Sequence, residues 1–150
     1  MGCTPDETRG IGRQVQDVSC EDWAAFCARH DLELVVLFGS QATGRATPRS
    51  DVDLALLTAR KVPDVEYQEG VWESTLHLLQ RSDVDVVWLD HAAPLLGYQV
   101  AVTGRLVHEA RPGIFRDFRL RALKRHWDAK RFYDLKRRAL HRFLAEAHHG

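Results

Sequence analysis

The chain has 150 residues, of which 45% are hydrophobic and 28% charged, a balance typical of one soluble globular domain with its own core. No apolar run approaches the ~20 residues of a membrane span, and the N-terminus lacks the apolar stretch of a signal peptide, so we expect a cytoplasmic protein with no membrane partner. The three cysteines, Cys3, Cys20 and Cys27, have no paired spacing, which argues against a disulfide framework or a zinc site.

The net charge is zero, but the two signs are separated along the chain. Residues 111–142 contain 12 lysines and arginines and 3 aspartates, a net +9, so the remaining residues carry 9 basic and 18 acidic side chains, a net −9. This asymmetry predicts that the basic segment meets a partner protein or a nucleic acid.

The elements can be predicted in chain order. Residues 1–18 show no periodicity and are expected to form a loose N-terminal tail. Ser19 predicts the N-cap of a helix that ends near residue 30, and apolar runs predict strands over 33–38, 52–57, 84–89 and 105–108. Helical periodicity follows Pro63, and Pro94 begins another helix that Gly104 ends. The sequence therefore predicts an α/β (α+β) fold, with a small mixed sheet flanked by helices over residues 19–110.

Residues 111–150 predict a long basic C-terminal helix packed on that domain. Its apolar anchors are expected at Leu120, Leu123, Trp127, Leu135, Ala139 and Phe143. A solvated basic face, a docking face for an acidic partner and RNA contact are the three interpretations of its charge. Because the aromatic residues mostly lie on the apolar stripe, packing and docking are favoured and direct nucleic-acid binding is not expected.

The segment from Gly39 to Leu54, GSQATGRATPRSDVDL, holds the candidate chemistry. Gly39 and Ser40 form a corner after a strand, where backbone N–H groups and a hydroxyl can bind phosphate. Asp51 and Asp53 are separated by one valine and so point to the same side of a strand, an arrangement suited to Mg²⁺.

Asp85, inside the strand over 84–89, is the candidate third carboxylate. A charged residue at an apolar strand position is costly unless it is paired or binds a metal. Three carboxylates on adjacent strands suit metal-assisted phosphoryl or nucleotidyl transfer. The alternative is that Asp83 and Asp85 only mark the start of a strand in solvent.

The pattern G-S-x10-D-x-D resembles that of the DNA polymerase β-like nucleotidyltransferase superfamily, and residues 34–109 resemble its minimal nucleotidyltransferases (MNT). The resemblance implies the polymerase β-like fold, with ATP as co-substrate and two Mg²⁺ ions. It also implies a catalytic and metal-binding triad made of Asp51, Asp53 and Asp85.

By the same resemblance, Gly39 and Ser40 bind the nucleotide phosphates, and the adjacent Arg49 and Ser50 are further candidate nucleotide-binding residues. Many MNT proteins are antitoxins encoded beside a HEPN ribonuclease toxin, and members of that group transfer AMP from ATP to a tyrosine of the toxin. A cognate HEPN toxin is therefore the expected partner of this chain.

The motif departs from the family at two positions. The family often reads GSRARG, whereas this chain has Gln41 and Thr43 in place of the two arginines. Each lost charge-assisted phosphate contact is worth about 1.5–3 kcal/mol in a favourable site, and Arg45 or Arg49 could replace it. Because these two positive charges are missing, a non-catalytic antitoxin that acts by binding alone is an alternative interpretation. A small-molecule enzyme resembling aminoglycoside nucleotidyltransferases also stays open, although such enzymes usually carry an additional helical domain.

Overall fold

The computed structural model describes residues 12–47, 50–59 and 63–148. Its centre is a four-stranded mixed sheet in the order β3-β2-β1-β4. Strand β1 is antiparallel to β2 and β4, whereas β2 and β3 are parallel. The strands are β1 (Leu32–Phe38), β2 (Val52–Thr58), β3 (Val84–Trp88) and β4 (Arg105–Glu109). All four predicted strands are confirmed, with bounds that differ by one residue at an end.

Within the described residues, five α-helices surround the sheet: α1 (Cys20–Arg29), the single turn α2 (Ser40–Thr43), α3 (Val65–Leu79), α4 (Pro94–Thr103) and α5 (Ile114–Ala147). Their starts follow local capping rules. The hydroxyl of Ser19 accepts a hydrogen bond from the Asp22 amide, the Asp64 side chain accepts one from the Tyr67 amide, and Pro94 takes the first helical position of α4. Helix α3 is the crossover that a parallel pair of strands requires, and it makes β2 and β3 neighbours.

The two faces of the sheet bury separate apolar clusters, because side chains alternate along each strand. Val35, Leu54 and Leu56 pack on one face with residues of α1 and α3. Leu34, Val36 and Ala55 pack on the other face with α4 and the beginning of α5. We call this second face the α4/α5 face.

Residues 12–18, expected to belong to a loose tail, instead pack on the domain; residues 1–11 lie outside the described part. Val15 and Val18 are buried, and the indole N–H of Trp23 donates to the Val15 carbonyl. The amide of Arg13 donates to the carbonyl of Leu79 at the end of α3. Two valines three residues apart are too few to establish a periodic pattern, and their burial depends on these tertiary contacts.

Helix α5 also differs from the prediction. The residues that it buries are Ile114, Phe118 and Ala122, whereas the expected anchors Leu120 and Trp127 are more than half exposed. Leu135 and Phe143 are exposed as well. Two apolar stripes compete on this helix, and only the contact with the sheet decides which one is buried. The helix therefore packs on the domain through its first turns and not along its whole length.

In the described ranges, no helix combines the length and the apolar character that a membrane span requires.

Candidate active site

Gly39 forms the corner between β1 and α2. Its φ of +72° and ψ of −154° lie in a region that essentially only glycine occupies. A Cβ at this position would lie 2.3 Å from Oδ2 of Asp53, so a side chain would also overlap the carboxylate. Backbone conformation and space both require glycine here, and the glycine brings the start of α2 close to Asp53.

Strand register brings two of the predicted carboxylates together. Asp53 is paired with Phe38 of β1 on one side and with Asp85 of β3 on the other. Paired residues of neighbouring strands point to the same face, so Asp53 and Asp85 share the α4/α5 face. Asp51 lies two residues before Asp53, just ahead of β2.

The electrostatics of Asp53 reflect these neighbours. Partial burial raises the pKa of the Asp53 carboxyl above its ordinary value, and the charges of Asp85 and Asp51 raise it further. Asp51 and Asp85 are exposed, whereas Asp53 is half-buried. The sheet thus holds three hard oxygen donors near one another in mutual repulsion, which a divalent cation would relieve.

The oxygen atoms of the three carboxylates are ligands of the kind that Mg²⁺ prefers, but they do not enclose a metal site. Within residues 12–47, 50–59 and 63–148, no three His, Cys, Asp or Glu side chains already surround a common point as metal ligands. Mg²⁺ usually takes only one or two carboxylates and completes its coordination with water and substrate phosphates. An open, partly exposed carboxylate group beside Gly39 agrees with that mode of binding.

Asp83 has a different role from Asp85. Its two carboxylate oxygens accept hydrogen bonds from Nε and a terminal nitrogen of Arg81, at 2.7 and 2.6 Å. This pairing lowers the pKa of the Asp83 carboxyl and raises the pKa of the Arg81 guanidinium. Arg81 is buried, with 6% of its surface exposed. Asp83 thus forms a bidentate ion pair with Arg81. Its carboxylate is used in this pair and is not grouped with the carboxylates of Asp53 and Asp85.

Arg81 is a residue that sequence reasoning missed. Besides pairing with Asp83, it donates a 3.3 Å hydrogen bond to the carbonyl of Ser50, immediately before Asp51. It therefore ties the start of β3 to the start of β2, the two points from which the carboxylates project. A single arginine after a helix carries no sequence signal for this function.

The loop between α2 and β2 is held by its own polar groups. The Ser50 hydroxyl accepts a hydrogen bond from the Thr47 amide at 2.8 Å, and the Ser50 amide donates to the Thr47 carbonyl. Gln41 donates from its side-chain amide to the Ser50 carbonyl. Ser50 and Gln41 thus shape the loop. Arg49 lies outside the described residues.

The two departures from the family motif also have local contacts. Gln41 holds the loop, as described above, and the Thr43 hydroxyl donates to the carbonyls of Gly39 and Ser40. Gln41 therefore stabilises the loop and Thr43 the corner, both through neutral hydrogen bonds. Neither contact supplies a positive charge for a phosphate.

A cavity of about 320 Å³ opens farther along the same face. Leu57, four residues beyond Asp53 on β2, lines it together with Asp90, and α5 contributes Arg121 and Arg125. At about 3.3 Å per residue, Leu57 lies about 13 Å along the strand from Asp53. The α4/α5 face thus contains a cavity beside two guanidinium groups, at a distance from the three carboxylates.

Comparison with known proteins identifies relatives of this chain. A curated relative, the protein adenylyltransferase MntA of Aphanizomenon flos-aquae (strain 2012/KM1/D3), is 26% identical over 121 residues, which cover 75% of this chain and 81% of MntA. Among solved structures, a toxin–antitoxin with AMP-PNP matches with a TM-score of 0.60 at 23% identity, covering 81% of this chain and 94% of that one.

A second solved structure, a tri-AMPylated Shewanella oneidensis HEPN toxin in complex with MNT antitoxin, matches with a TM-score of 0.59 at 20% identity, covering 88% of this chain and 99% of that one. At these identities the two structural matches establish the fold. The model of the polymerase beta nucleotidyltransferase family matches residues 21–112, which include the whole sheet and all three carboxylates. The chain therefore belongs to the polymerase beta nucleotidyltransferase family.

Proposed function

We propose that this chain is an antitoxin nucleotidyltransferase that transfers AMP from ATP to a tyrosine hydroxyl of a cognate HEPN ribonuclease toxin and thereby silences it. The observation that carries the proposal is the pairing of Asp53 with Asp85 beside the glycine corner at Gly39. The curated relative is a protein adenylyltransferase, and one matching structure is an AMPylated HEPN toxin with its antitoxin. We place the reaction in the cytoplasm, where ATP is available.

In the proposed reaction, the tyrosine oxygen attacks the α-phosphorus of ATP in line with the departing pyrophosphate. The new bond joins the tyrosine oxygen to the α-phosphorus, and the bond from the α-phosphorus to the bridging oxygen breaks. The hydroxyl proton passes to a carboxylate, for which Asp85 is the candidate because it is exposed at the open side of the site. Positioning and charge neutralisation supply most of the rate enhancement.

Gly39 and Ser40 are proposed to hold the triphosphate at the start of α2, together with Arg49 and the loop at Ser50. Asp51, Asp53 and Asp85 would hold two Mg²⁺ ions, which would neutralise the phosphates and acidify the attacking hydroxyl. The cavity beside Arg121 and Arg125 offers room for a substrate group on the same face.

The test is to incubate the purified chain with α-labelled ATP, Mg²⁺ and the HEPN protein encoded by the neighbouring gene. We expect label on a toxin tyrosine, located by mass spectrometry, and loss of that label with Asp53→Asn or with EDTA. Asp117→Asn is the matched control, because Asp117 is an exposed aspartate on α5 that pairs with Arg116 away from the sheet.

Binding without catalysis is the second candidate, and the neutral side chains of Gln41 and Thr43 favour it. A tight complex with a silenced toxin but no label would establish this candidate and refute AMP transfer. Label on an aminoglycoside, with neither label on the toxin nor a complex that silences it, would refute both antitoxin functions.

A further inference from the structure

The outer half of α5 leaves the domain with an apolar face uncovered. Ile114, Phe118 and Ala122 anchor the start of the helix in the core. Farther along, Tyr133 is 67% exposed and Leu140 56% exposed. Residues 129–147 extend about 28 Å at 1.5 Å per residue. Seven large apolar side chains between residues 127 and 144 are exposed, and exposed apolar surface of this extent marks an interaction site.

Three of the exposed apolar residues of α5, Tyr133, Leu140 and Phe143, lie on a line with coiled-coil spacing. Steps of four and three residues connect a line of positions, which we call the α5 seam: Ala122, His126, Ala129, Tyr133, Lys136, Leu140, Phe143 and Ala147. The seam begins with the buried Ala122, and His126 stacks on Tyr98 with ring centroids 4.1 Å apart. A line of this spacing is the surface against which a second helix packs.

A groove at the base of the exposed seam gives the partner a starting point. It has a volume of about 470 Å³ and lies between the first turn of α4 and the side of α5. Pro94 and Leu95 form one wall, and Ala129 and Tyr133 of the seam form the other. A helix that packs along the seam can insert an apolar side chain here.

The charges beside the seam indicate what kind of helix fits. Arg125, Lys130 and Arg137 occupy positions that flank the seam, and Lys136 lies within it, whereas Glu146 is the acidic residue at a flanking position. Two copies of α5 packed together would bring these cations against one another, which disfavours self-association. A helix with acidic residues at its own flanking positions would form ion pairs instead.

We propose that the α5 seam is the docking site for an acidic amphipathic helix of the toxin. The proposal rests on the proposed function, because the toxin is the substrate that must be held. The catalytic face is open and partly exposed, so a helix held on the seam raises the local concentration of the acceptor tyrosine. Docking then sets the affinity for the toxin, and the carboxylates carry out the transfer.

Two matched pairs of variants test the docking site. Arg137→Glu reverses a charge beside the seam, and Arg138→Glu makes the same change on the opposite side of the helix. Leu140→Asp interrupts the seam, and Leu135→Asp changes a similarly exposed leucine outside it. We expect the first member of each pair to weaken toxin binding at least tenfold by calorimetry, and the second member to change it by less than twofold. Binding of AMP-PNP should be unchanged in all four.

Equal effects within each pair, or no effect at all, would overturn the docking site. So would a wild-type dimer that Leu140→Asp dissociates in sedimentation, since the seam would then bind a second copy. RNA binding lost equally in Arg137→Glu and Arg138→Glu would also refute the proposal. Toxin affinity and AMP transfer are measured in separate assays. If the wild-type chain binds the toxin through the seam but does not label it, the proposed catalysis is refuted and the docking site is still supported.

Discussion

Replacing Gly39 by alanine is the sharpest test of the glycine corner. The φ and ψ of Gly39 belong to a region that costs a residue with a side chain about 1–3 kcal/mol. In addition, the new Cβ would lie 2.3 Å from Oδ2 of Asp53, closer than real Cβ contacts come, so the carboxylate must move. A misplacement of about 1 Å at a reacting centre can cost about 100-fold in rate.

We therefore expect Gly39→Ala to lower the free energy of unfolding by about 1–3 kcal/mol and AMP transfer by about 100-fold. Urea denaturation and initial rates with α-labelled ATP measure the two quantities. Gly44→Ala is the matched control, because Gly44 also has a positive φ, +74°, but in the described part of the chain no atom lies within 4 Å of its added Cβ. This control should lose about 1–2 kcal/mol and keep its activity. Equal rates in the two variants would refute the steric argument.

Three further outcomes can be measured on the same protein. Burial and like charges raise the pKa of the Asp53 carboxyl in the folded state, so the free energy of unfolding declines as pH rises through that pKa. Asp53→Asn removes this destabilising charge and should therefore raise the melting temperature at pH 7 in EDTA. A lower melting temperature would contradict this. Asp83→Asn leaves Arg81 buried without its carboxylate and should cost about 2 kcal/mol in urea denaturation, less than a fully buried pair because the Asp83 side chain is 31% exposed. Phe118→Ala should cost about 3–4 kcal/mol and Phe143→Ala less than about 0.5, since only the first is buried; equal losses would contradict the seam's exposure.

The strands and the carboxylates were predictable because they depend on local patterns. Alternation and apolar runs located all four strands, and the single valine between Asp51 and Asp53 fixed their common side. The choice of Asp85 over Asp83 could be argued from the strand pattern, and the parallel register shows why the two residues differ: Asp85 is paired with Asp53, and Asp83 is bound by Arg81.

What could not be predicted depends on contacts between distant segments. Val15 is buried because Trp23 and the end of α3 pack against it. The function of Arg81 requires that the segment before β2 lie beside it, 31 residues away in sequence. In α5 two apolar stripes are equally plausible from periodicity, and the sheet selects the one that contains Phe118. The roles of the individual site residues remain predictions that the variants above test.

The position of Asp85 in the sheet has a consequence for solubility. Strand β3 is outermost in the order β3-β2-β1-β4, so one of its sides has no neighbouring strand in the described chain. Such an edge can template strand addition and aggregation, and a charged residue within the edge strand opposes this. Asp85 therefore protects the edge in addition to the role proposed for it in the site, and Asp85→Val would leave V-V-V-V-W at the edge. A loss of activity in that variant would have to be separated from self-association, whereas Asp85→Asn keeps a polar side chain at the edge.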